Sequence, residues 1–280
     1  MKRQPESAVG ARLSERSFSD LAGFLHESCG IRLAPQKRLM VESRLMRRVR
    51  ATGAKNFDSY CQALFRAREA TELSVVIDLL TTHKTDFFRE KHHFDFLSKN
   101  IAEPFRAIWP SCERQLRVWS AGCSTGEEAY SAAMVLDDVL APCSFRVVAT
   151  DVSEGTLRQA AAGRYDEADV APIPPDLRRK YVHERAGAFE VAPDLRERVS
   201  FQKHNLMDDR YPDRPRHHVI FCRNTLVYFD RETQKNVLTK MARTLVPRGF
   251  LFLGHSESMN GMSLPFDTLG PTTFRKRGDV

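Results

Sequence analysis

The sequence predicts an α/β protein in which a small α-helical domain precedes a larger domain with a mostly parallel, doubly wound sheet. Two patterns lead to this prediction. Up to about residue 80, apolar residues recur at the spacing of amphipathic helices. From residue 116 onward, short apolar strands alternate with helices, which is the order of repeated βαβ units. A chain of 280 residues is long enough to bury a core in both domains.

Four helices are predicted in the N-terminal part, and the first of them has a C-terminal stop signal at Gly30. The second helix is rich in arginine, and we expect its Leu39, Met46 and Val49 to face the core of the domain. The predicted helices span residues 18–31, 36–50, 57–67 and 70–80.

The larger domain is predicted to contain five strands with helices between them. The strands are expected at 116–122, 145–151, 198–202, 218–224 and 250–256, and the helices at 127–140, 153–162 and 231–245. Residues 171–200 fit no βα unit and are interpreted as an insertion. Within it, the segments AFEV and RVSF are candidates for short antiparallel strands.

Positive charge is concentrated near the N-terminus. The net charge is +7, and residues 1–55 contain twelve Lys or Arg against five Asp or Glu. Such a region could attract nucleic acid, an anionic membrane or an acidic protein surface, and net charge does not choose among these partners.

Composition also bears on compartment and metal binding. No run of about eighteen apolar residues occurs, and charges and Pro5 stand where a signal peptide needs an apolar segment, so we expect a cytoplasmic protein. The six cysteines form no Cys-x-x-Cys pair, which argues against zinc and disulfides. Neither histidine pair, 92–93 or 217–218, has a carboxylate or thiol cluster at ligand spacing, so no metal site is predicted.

The segment SAGCSTGEE at 120–128 follows the first predicted strand of the larger domain and opens a helix. Gly122 would let a ligand approach the backbone closely. No Lys follows Gly126, the full G-x-G-x-x-G spacing is missing, and Glu127 and Glu128 would repel a pyrophosphate. The turn therefore suits a ligand with an amine and a sulfonium, and the alternative is a tight structural corner.

Asp151 ends the second predicted strand, where a carboxylate can accept hydrogen bonds from a ribose diol. The alternative is that Asp151 caps the helix that begins near Ser153. Together with the glycine turn, it indicates a nucleoside cofactor bound without a phosphate cradle, which favours S-adenosylmethionine over NAD.

Six segments, in this order, resemble the chemotaxis receptor glutamate methyltransferases, the CheR family. They are TTHKTDFFRE (81–90), RVWSAGCSTGEEAYS (117–131), ATDVS (149–153), HNL (204–206), VIFCRNTLVYFD (219–230) and LFLGHSES (251–258). The resemblance implies a helical domain over 1–85 and a Rossmann-like class I methyltransferase domain over 86–280. The latter would have a seven-stranded sheet and a small antiparallel β subdomain inserted at about 175–202.

The resemblance also implies an activity and its residues. The enzyme would transfer the methyl group of S-adenosylmethionine to glutamate carboxylates of chemoreceptor cytoplasmic helices, leaving S-adenosylhomocysteine. Arg89 and Tyr228 are the expected catalytic residues. The expected cofactor-binding residues are His83, Thr85, Arg89, Gly122, Glu128, Asp151, Asn205, Leu206, Arg223 and Asn224. His83 stands where the family usually has Asn, and imidazole does not reproduce the paired donor and acceptor of an amide.

The proposed chemistry needs no general base, because a glutamate side chain with a pKa near 4.3 is already ionised at neutral pH. Three alternative functions would each require features that differ from those of this chain. An NAD-dependent oxidoreductase would need the complete phosphate turn. An adenine or cytosine amino-methylase would carry an Asn/Asp-Pro-Pro-aromatic loop where this chain has RNTLVY at 223–228. A non-enzymatic scaffold would not need the retained polar residues.

Docking of the acceptor protein is assigned to the basic face of the second predicted helix, with Lys37, Arg44, Arg47 and Arg48 as its residues. A monomer is expected. A receptor C-terminal pentapeptide is a possible tether by β-augmentation. The candidate region, residues 183–199, contains only Gly187 and no glycine-rich hairpin, which leaves tethering open.

Overall fold

The structure is a computed structural model that describes residues 12–108, 114–212 and 216–278. The chain divides into two compact units between Thr82 and His83. The family resemblance predicted this boundary after residue 85. Among the described residues, no helix is both long enough and apolar enough to cross a membrane.

The described residues of the N-terminal unit form four α-helices: α1 (Glu15–Cys29), α2 (Arg38–Ala51), α3 (Phe57–Ala67) and α4 (Ala70–Leu80), with a 3₁₀ turn (Pro35–Lys37) before α2. Local signals explain their ends. Gly30 terminates α1 in the left-handed conformation, as predicted. Asn56 and Ser59 form a reciprocal capping box that starts α3 at the predicted residue.

The core-facing side of α2 differs from the prediction. Val41, Leu45 and Val49 are buried, whereas Leu39 is 69% exposed. Leu39 precedes Val41 by two positions, which is about 200° around a helix of 3.6 residues per turn, so the two residues cannot share a face. The prediction for Leu39 was therefore wrong, and Met46 is half-buried.

The larger unit begins with a helical stretch that the sequence analysis did not predict. It comprises α5 (His92–Phe96), a π-helical turn (Leu97–Ala102) and α6 (Glu103–Ile108). The remaining helices are α7 (Glu127–Leu140), α8 (Glu154–Ala162), α9 (Glu167–Val170), α10 (Pro175–Tyr181), α11 (Pro193–Arg196) and α12 (Arg231–Thr244). The strands are β1 (Leu116–Ala121), β2 (Phe145–Asp151), β3 (Arg164–Tyr165), β4 (Val182–Arg185), β5 (Ala188–Val191), β6 (Val199–Lys203), β7 (His217–Cys222), β8 (Leu245–Leu253), β9 (Phe266–Gly270) and β10 (Thr273–Lys276).

Seven strands form the main sheet in the order β6-β2-β1-β7-β8-β10-β9, and β10 alone runs antiparallel to both of its neighbours. The chain proceeds from β1 through β2 to the edge strand β6, then returns to β7 on the other side of β1. This reversal brings the carboxyl ends of β1, β2 and β7 side by side, which is where open α/β sheets bind ligands. Trp119, Tyr130, Phe221 and Phe252 fill the core beside these strands.

Three short strands form a separate antiparallel sheet in the order β3-β5-β4. The partner of AFEV in this sheet is VHER, and not RVSF as the sequence analysis suggested. Ala186 and Gly187 both have positive φ, so they form the tight hairpin turn that pairs β4 with β5. Residues of RVSF instead lie in β6, parallel to β2, with Val199 opposite Val147.

Candidate active site

Most of the predicted site residues follow the carboxyl ends of four parallel strands, β1, β2, β6 and β7. Because these ends lie along one edge of the sheet, the structure brings the residues to that edge. The residues placed there are Gly122, Glu128, Asp151, Asn205, Leu206, Arg223, Asn224 and Tyr228.

The segment before α5, which carries His83, Thr85 and Arg89, is attached to the same edge by backbone acceptors. Ser124 Oγ donates to the His83 carbonyl at 2.7 Å, and Arg223 Nη2 donates to the Arg89 carbonyl. All three predicted residues of this segment are half-buried.

The turn after β1 contacts the loop after β7 closely. Gly122 has φ of 77°, and its N–H donates to the Thr150 carbonyl at 2.8 Å. A Cβ at this position would lie 2.4 Å from Thr225 Oγ1, so no side chain fits there without displacing Thr225. The glycine is therefore required both for its conformation and for the approach of the two loops.

Asp151 joins two backbone turns. Its Oδ2 accepts the N–H of Ser124 at 2.8 Å, and its Oδ1 accepts the N–H of Ser153 at 3.0 Å. The N-cap of α8 is Ser153, whose hydroxyl accepts the Thr156 N–H at 3.2 Å. The capping alternative for Asp151 is therefore not what the structure contains. Burial raises the pKa of Asp151, although the N–H groups of Ser153 and Ser124 oppose that shift.

Arg223 lies between two carboxylates beneath this edge of the sheet. Its Nε is 3.6 Å from Glu128 Oε2 and 3.7 Å from Glu90 Oε2. Arg223 is only 6% exposed, and its guanidinium packs over the Phe94 ring at 5.5 Å. Among the described residues, its Nε and Nη1 have no hydrogen-bond acceptor, although both are buried. Ser120 Oγ donates to Glu128 Oε1 at 2.6 Å, so this one carboxylate oxygen already accepts a hydrogen bond.

Two buried carboxylates of the site were missed by the sequence analysis. Glu90 was not predicted as a site residue, yet it faces Arg223. Glu257 was not considered, although it accepts three backbone N–H groups, from Asn224, Leu226 and Gly254. The one available signal was that both lie within segments that resemble the family.

Arg89 and Tyr228, the predicted catalytic residues, are both half-buried. Arg89 Nη1 donates to the Lys84 carbonyl at 3.2 Å. Within the described parts of the chain, its guanidinium forms no ion pair with the neighbouring carboxylates of Glu90 and Asp86. Tyr228 ends a short 3₁₀ helix that spans Leu226–Tyr228.

The loop after β6 places the remaining predicted contacts. The His204 N–H donates to the Asp151 carbonyl at 3.0 Å, which ties this loop to the end of β2. Asn205 Oδ1 accepts the Met207 N–H at 3.0 Å, and Leu206 is buried.

Both histidine pairs have protein partners. His93 Nε2 is 2.9 Å from Thr272 Oγ1, and His217 Nε2 is 2.8 Å from the Pro212 carbonyl. His218 Nδ1 accepts the Arg117 N–H at 3.1 Å. Burial lowers the pKa of His218 to about 4, so its ring is neutral near pH 7. In the parts of the chain that the structure describes, no group of three or more His, Cys, Asp or Glu could hold a metal ion.

The charge of the site suits a cationic nucleoside ligand. Four carboxyl groups at this edge have pKa values raised by burial, and for one of them the value is about 7; they are Glu127, Glu128, Asp151 and Glu257. An amine and a sulfonium would compensate this buried negative charge, and Arg223 still has unused buried donors. The residues present therefore fit S-adenosylmethionine.

The predicted docking residues on α2 separate into two groups. Arg44 Nη1 donates to the Leu80 and Thr81 carbonyls at 3.2 and 2.6 Å, at the C-terminal end of α4. Arg48 Nε donates to Glu72 Oε1 at 2.9 Å. Both guanidiniums are thus engaged within the N-terminal unit, and their role in docking stays a prediction. Lys37 and Arg47 are exposed.

Comparison with known proteins agrees with this architecture. Residues 83–275 match the family described as CheR methyltransferase, SAM binding domain, and residues 16–81 match CheR methyltransferase, all-alpha domain. A chemotaxis protein methyltransferase of Borreliella burgdorferi is 34% identical over 274 residues, covering 96% of each chain. The chemotaxis protein methyltransferase of Salmonella typhimurium is 35% identical over 268 residues, covering 94% of this chain and 90% of the relative. That of Escherichia coli is also 35% identical over 268 residues, covering 94% and 91%.

Proposed function

The chain belongs to the CheR methyltransferase family and is an S-adenosylmethionine-dependent methyltransferase, and from this premise we propose that its methyl acceptors are glutamate side chains of chemoreceptor cytoplasmic helices. The products would be glutamate methyl esters that serve chemotaxis adaptation. The observation that supports this acceptor best is the Arg89 guanidinium, which has no carboxylate partner among the described residues in a site rich in carboxylates. A planar guanidinium fork suits a carboxylate brought by another molecule.

The chain's own residues would act by orientation and by excluding water. S-adenosylmethionine supplies an electrophilic methyl group on a sulfonium. Arg89 would hold the acceptor carboxylate, and the Tyr228 hydroxyl would donate to a group close to the reacting atoms. Because the acceptor is already ionised, positioning and loss of water are the main contributions the protein can make.

The acceptor protein would be recognised by the outer face of α2, defined here as Leu39, Ser43, Arg47 and Arg50, with Lys37 beside it. Receptor helices that present glutamates are complementary to this basic face. The enzyme would act as a monomer in the cytoplasm. A receptor C-terminal pentapeptide could add a strand to an outer strand of the small sheet, β3 or β4.

The proposed reaction is tested by incubating the protein with tritiated S-adenosylmethionine and a chemoreceptor cytoplasmic fragment. We expect label on the fragment that base releases as volatile methanol, the mark of a carboxyl methyl ester. A fragment with Gln at its methylated Glu positions is the matched control and should take up no label. Base-stable label, or label transferred to added nucleic acid instead, would contradict the proposed acceptor.

The role of Arg89 has its own test. Arg89→Ala should lower kcat/KM for the receptor about 10- to 100-fold, because a charge-assisted hydrogen bond contributes about 1.5–3 kcal/mol. Arg89→Lys should recover little activity, since an ammonium does not reproduce the fork. Steady-state kinetics and thermal unfolding measure the two effects separately.

The control for Arg89 is Arg158→Ala, which removes an arginine that is exposed on α8. It should change neither activity nor stability appreciably. If Arg89→Ala and Arg89→Lys both retain parental activity, Arg89 takes no part in methyl transfer.

A further inference from the structure

The turn after β8 touches two segments of the proposed site, the loop after β7 and the segment that carries Arg89. We define the β8 turn as residues 254–257 and the β7 loop as residues 223–228. The β7 loop contains Arg223, Asn224 and Tyr228, so any residue that fixes this loop fixes three proposed site residues at once.

Glu257 binds the β7 loop through both of its carboxylate oxygens. Its Oε1 accepts the Leu226 N–H at 2.7 Å. Its Oε2 accepts the Asn224 N–H at 3.0 Å and the Gly254 N–H at 2.6 Å. Glu257 is 7% exposed, so these are buried bonds. Burial raises its pKa while the three N–H groups oppose the shift.

The backbone of the β8 turn packs directly against Asn224. A Cβ placed on Gly254 would lie 2.5 Å from Asn224 Nδ2 and 2.7 Å from Asn224 N. Gly254 does not have a positive φ, so its backbone conformation would accept alanine, and the three atoms nearest to the added Cβ all belong to Asn224. Asn224 itself has φ of 57°, a conformation that is costly unless the surroundings hold it.

The β8 turn also reaches the segment that carries Arg89. The His255 N–H donates to Glu90 Oε1 at 3.3 Å, and Glu90 Oε2 faces Arg223 Nε. One turn therefore contacts the β7 loop at Asn224 and Leu226 and the Arg89 segment at Glu90.

We propose that Glu257 is a positioning residue for cofactor binding: with Gly254, it holds the β7 loop in the conformation in which Arg223 and Asn224 can contact S-adenosylmethionine. This inference rests on the proposed assignment of Arg223 and Asn224 to the cofactor site. Glu257 acts through the backbone of the loop and does not itself need to touch the cofactor.

The geometry requires a carboxylate at this position. An amide offers one oxygen and one NH₂ group, so Gln would turn an N–H donor toward an N–H donor of the loop. Asp is one methylene shorter and cannot keep both oxygens in place at once. Leaving a buried N–H without an acceptor is costly, so either variant should release the loop.

The experiment measures S-adenosylmethionine affinity by calorimetry for two independent variants, Glu257→Gln and Gly254→Ala. Each should raise the Kd about tenfold or more, as expected when a buried donor loses its acceptor or Asn224 is displaced. Measurements are made well below each variant's melting temperature, so a purely structural role would leave the Kd unchanged. Glu232→Gln, an exposed carboxylate on α12, is the matched control and should bind like the parent.

Asn224→Ala separates this inference from the assignment on which it rests. If Asn224→Ala loses affinity while both Glu257→Gln and Gly254→Ala keep it, the positioning role of Glu257 is wrong. If Asn224→Ala itself binds like the parent, the assignment of Asn224 to the cofactor site fails. Should Glu257→Gln not fold, Gly254→Ala alone decides, because unchanged affinity in that variant overturns the proposal.

Discussion

Two carboxylates of the N-terminal unit and four at the edge of the main sheet have pKa values that are shifted in opposite directions. In the N-terminal unit, the Arg48 guanidinium lowers the pKa of Glu72, and hydrogen bonds from Ser17 and Ser14 lower the pKa of Asp58. These groups are stabilised as anions by partners within the fold. Their contribution to stability is present above their ordinary pKa values and is lost as the pH falls through the lowered ones.

At the edge of the main sheet the direction is reversed. Glu127, Glu128, Asp151 and Glu257 all have pKa values raised by burial, despite the hydrogen bonds they accept. Such carboxylates weaken the fold when ionised, so they indicate a function that stability does not explain. The comparison thus distinguishes carboxylates whose ionised form the fold stabilises from carboxylates whose ionised form burial disfavours.

The largest expected effect comes from removing the cation that the site's carboxylates share. Arg223→Gln leaves Glu90 and Glu128 buried without their guanidinium, which should reduce the unfolding free energy by about 3–5 kcal/mol. Denaturant unfolding measures the loss. Arg158→Gln breaks only an exposed pair with Glu154 and should change stability by less than about 1 kcal/mol. Equal effects of the two substitutions would mean that Arg223 is not compensating buried charge.

The raised pKa of Glu127 should make the unfolding free energy depend on pH. Burial raises the pKa of Glu127 from 4.5 to about 7. Between these values the unfolded chain has released the proton that the folded protein retains, so raising the pH favours the unfolded state. The contribution of Glu127 should therefore fall from about pH 4.5 to about pH 7 and stay constant above it.

Glu127→Gln removes this dependence. The fall in unfolding free energy from pH 5 to pH 8 should be smaller in the variant than in the parent, by at most about 3 kcal/mol from a shift of this size. Urea unfolding at the two pH values gives the comparison. The same fall in both proteins would show that Glu127 does not titrate in this range.

Local sequence signals predicted the elements whose ends they determine. Helices at 57–67, 70–80 and 127–140 and the strand at 145–151 have the bounds that the structure gives. The site residues at the strand ends could also be placed, because carboxyl ends of parallel strands share an edge. β9 and β10 were not predicted as segments, since their residues alternate only weakly between buried and exposed and their order depends on antiparallel pairing with β8.

The roles of Glu257, Arg44 and Arg48 could not be predicted from the sequence, because they depend on contacts between residues that are distant along the chain. Glu257 gained its role from the backbone of residues about thirty positions earlier, Asn224 and Leu226. Arg44 and Arg48 appeared to be free surface cations until the structure placed α4 and Glu72 beside them. A pattern on one helix shows which residues share a face, but not what covers that face.

The predicted ligand role of Asp151 has a smaller expected effect than the loss of Arg223. Asp151→Ala should weaken S-adenosylmethionine binding by about 1–3 kcal/mol, because ribose hydroxyls lose a charged acceptor. Ser153→Ala is the control, since it removes the N-cap of α8 and should cost about 1 kcal/mol of stability with affinity unchanged. Calorimetry and thermal unfolding together separate the two roles. If Asp151→Ala behaves like Ser153→Ala, Asp151 only supports the turns.

The smallest expected effect concerns the outer face of α2, where the cations are exposed and, among the described residues, have no ion-pair partner of the kind that Arg48 has in Glu72. Arg47→Glu combined with Arg50→Glu should raise the KM for the receptor fragment about two- to thirtyfold, since two exposed ion pairs contribute about 0.2–1 kcal/mol each. Cofactor affinity and melting temperature should not change. The effect should shrink as salt rises from about 50 to about 500 mM, because exposed charges are then screened within a few ångströms.

A charge reversal on another helix is the matched control for this face. Lys235→Glu combined with Arg243→Glu alters the net charge equally, at exposed positions of α12. If docking depends on α2, this control should keep the parental KM. If general attraction between a basic protein and an acidic helix were the cause, the KM would instead rise equally in both double variants. Arg48→Glu, in contrast to the Arg47 and Arg50 double variant, should lower the melting temperature. It destabilises the N-terminal unit, because Glu72 would lose its guanidinium and face a second carboxylate. A parental KM in the Arg47 and Arg50 double variant at low salt would assign the charge of α2 to solubility alone.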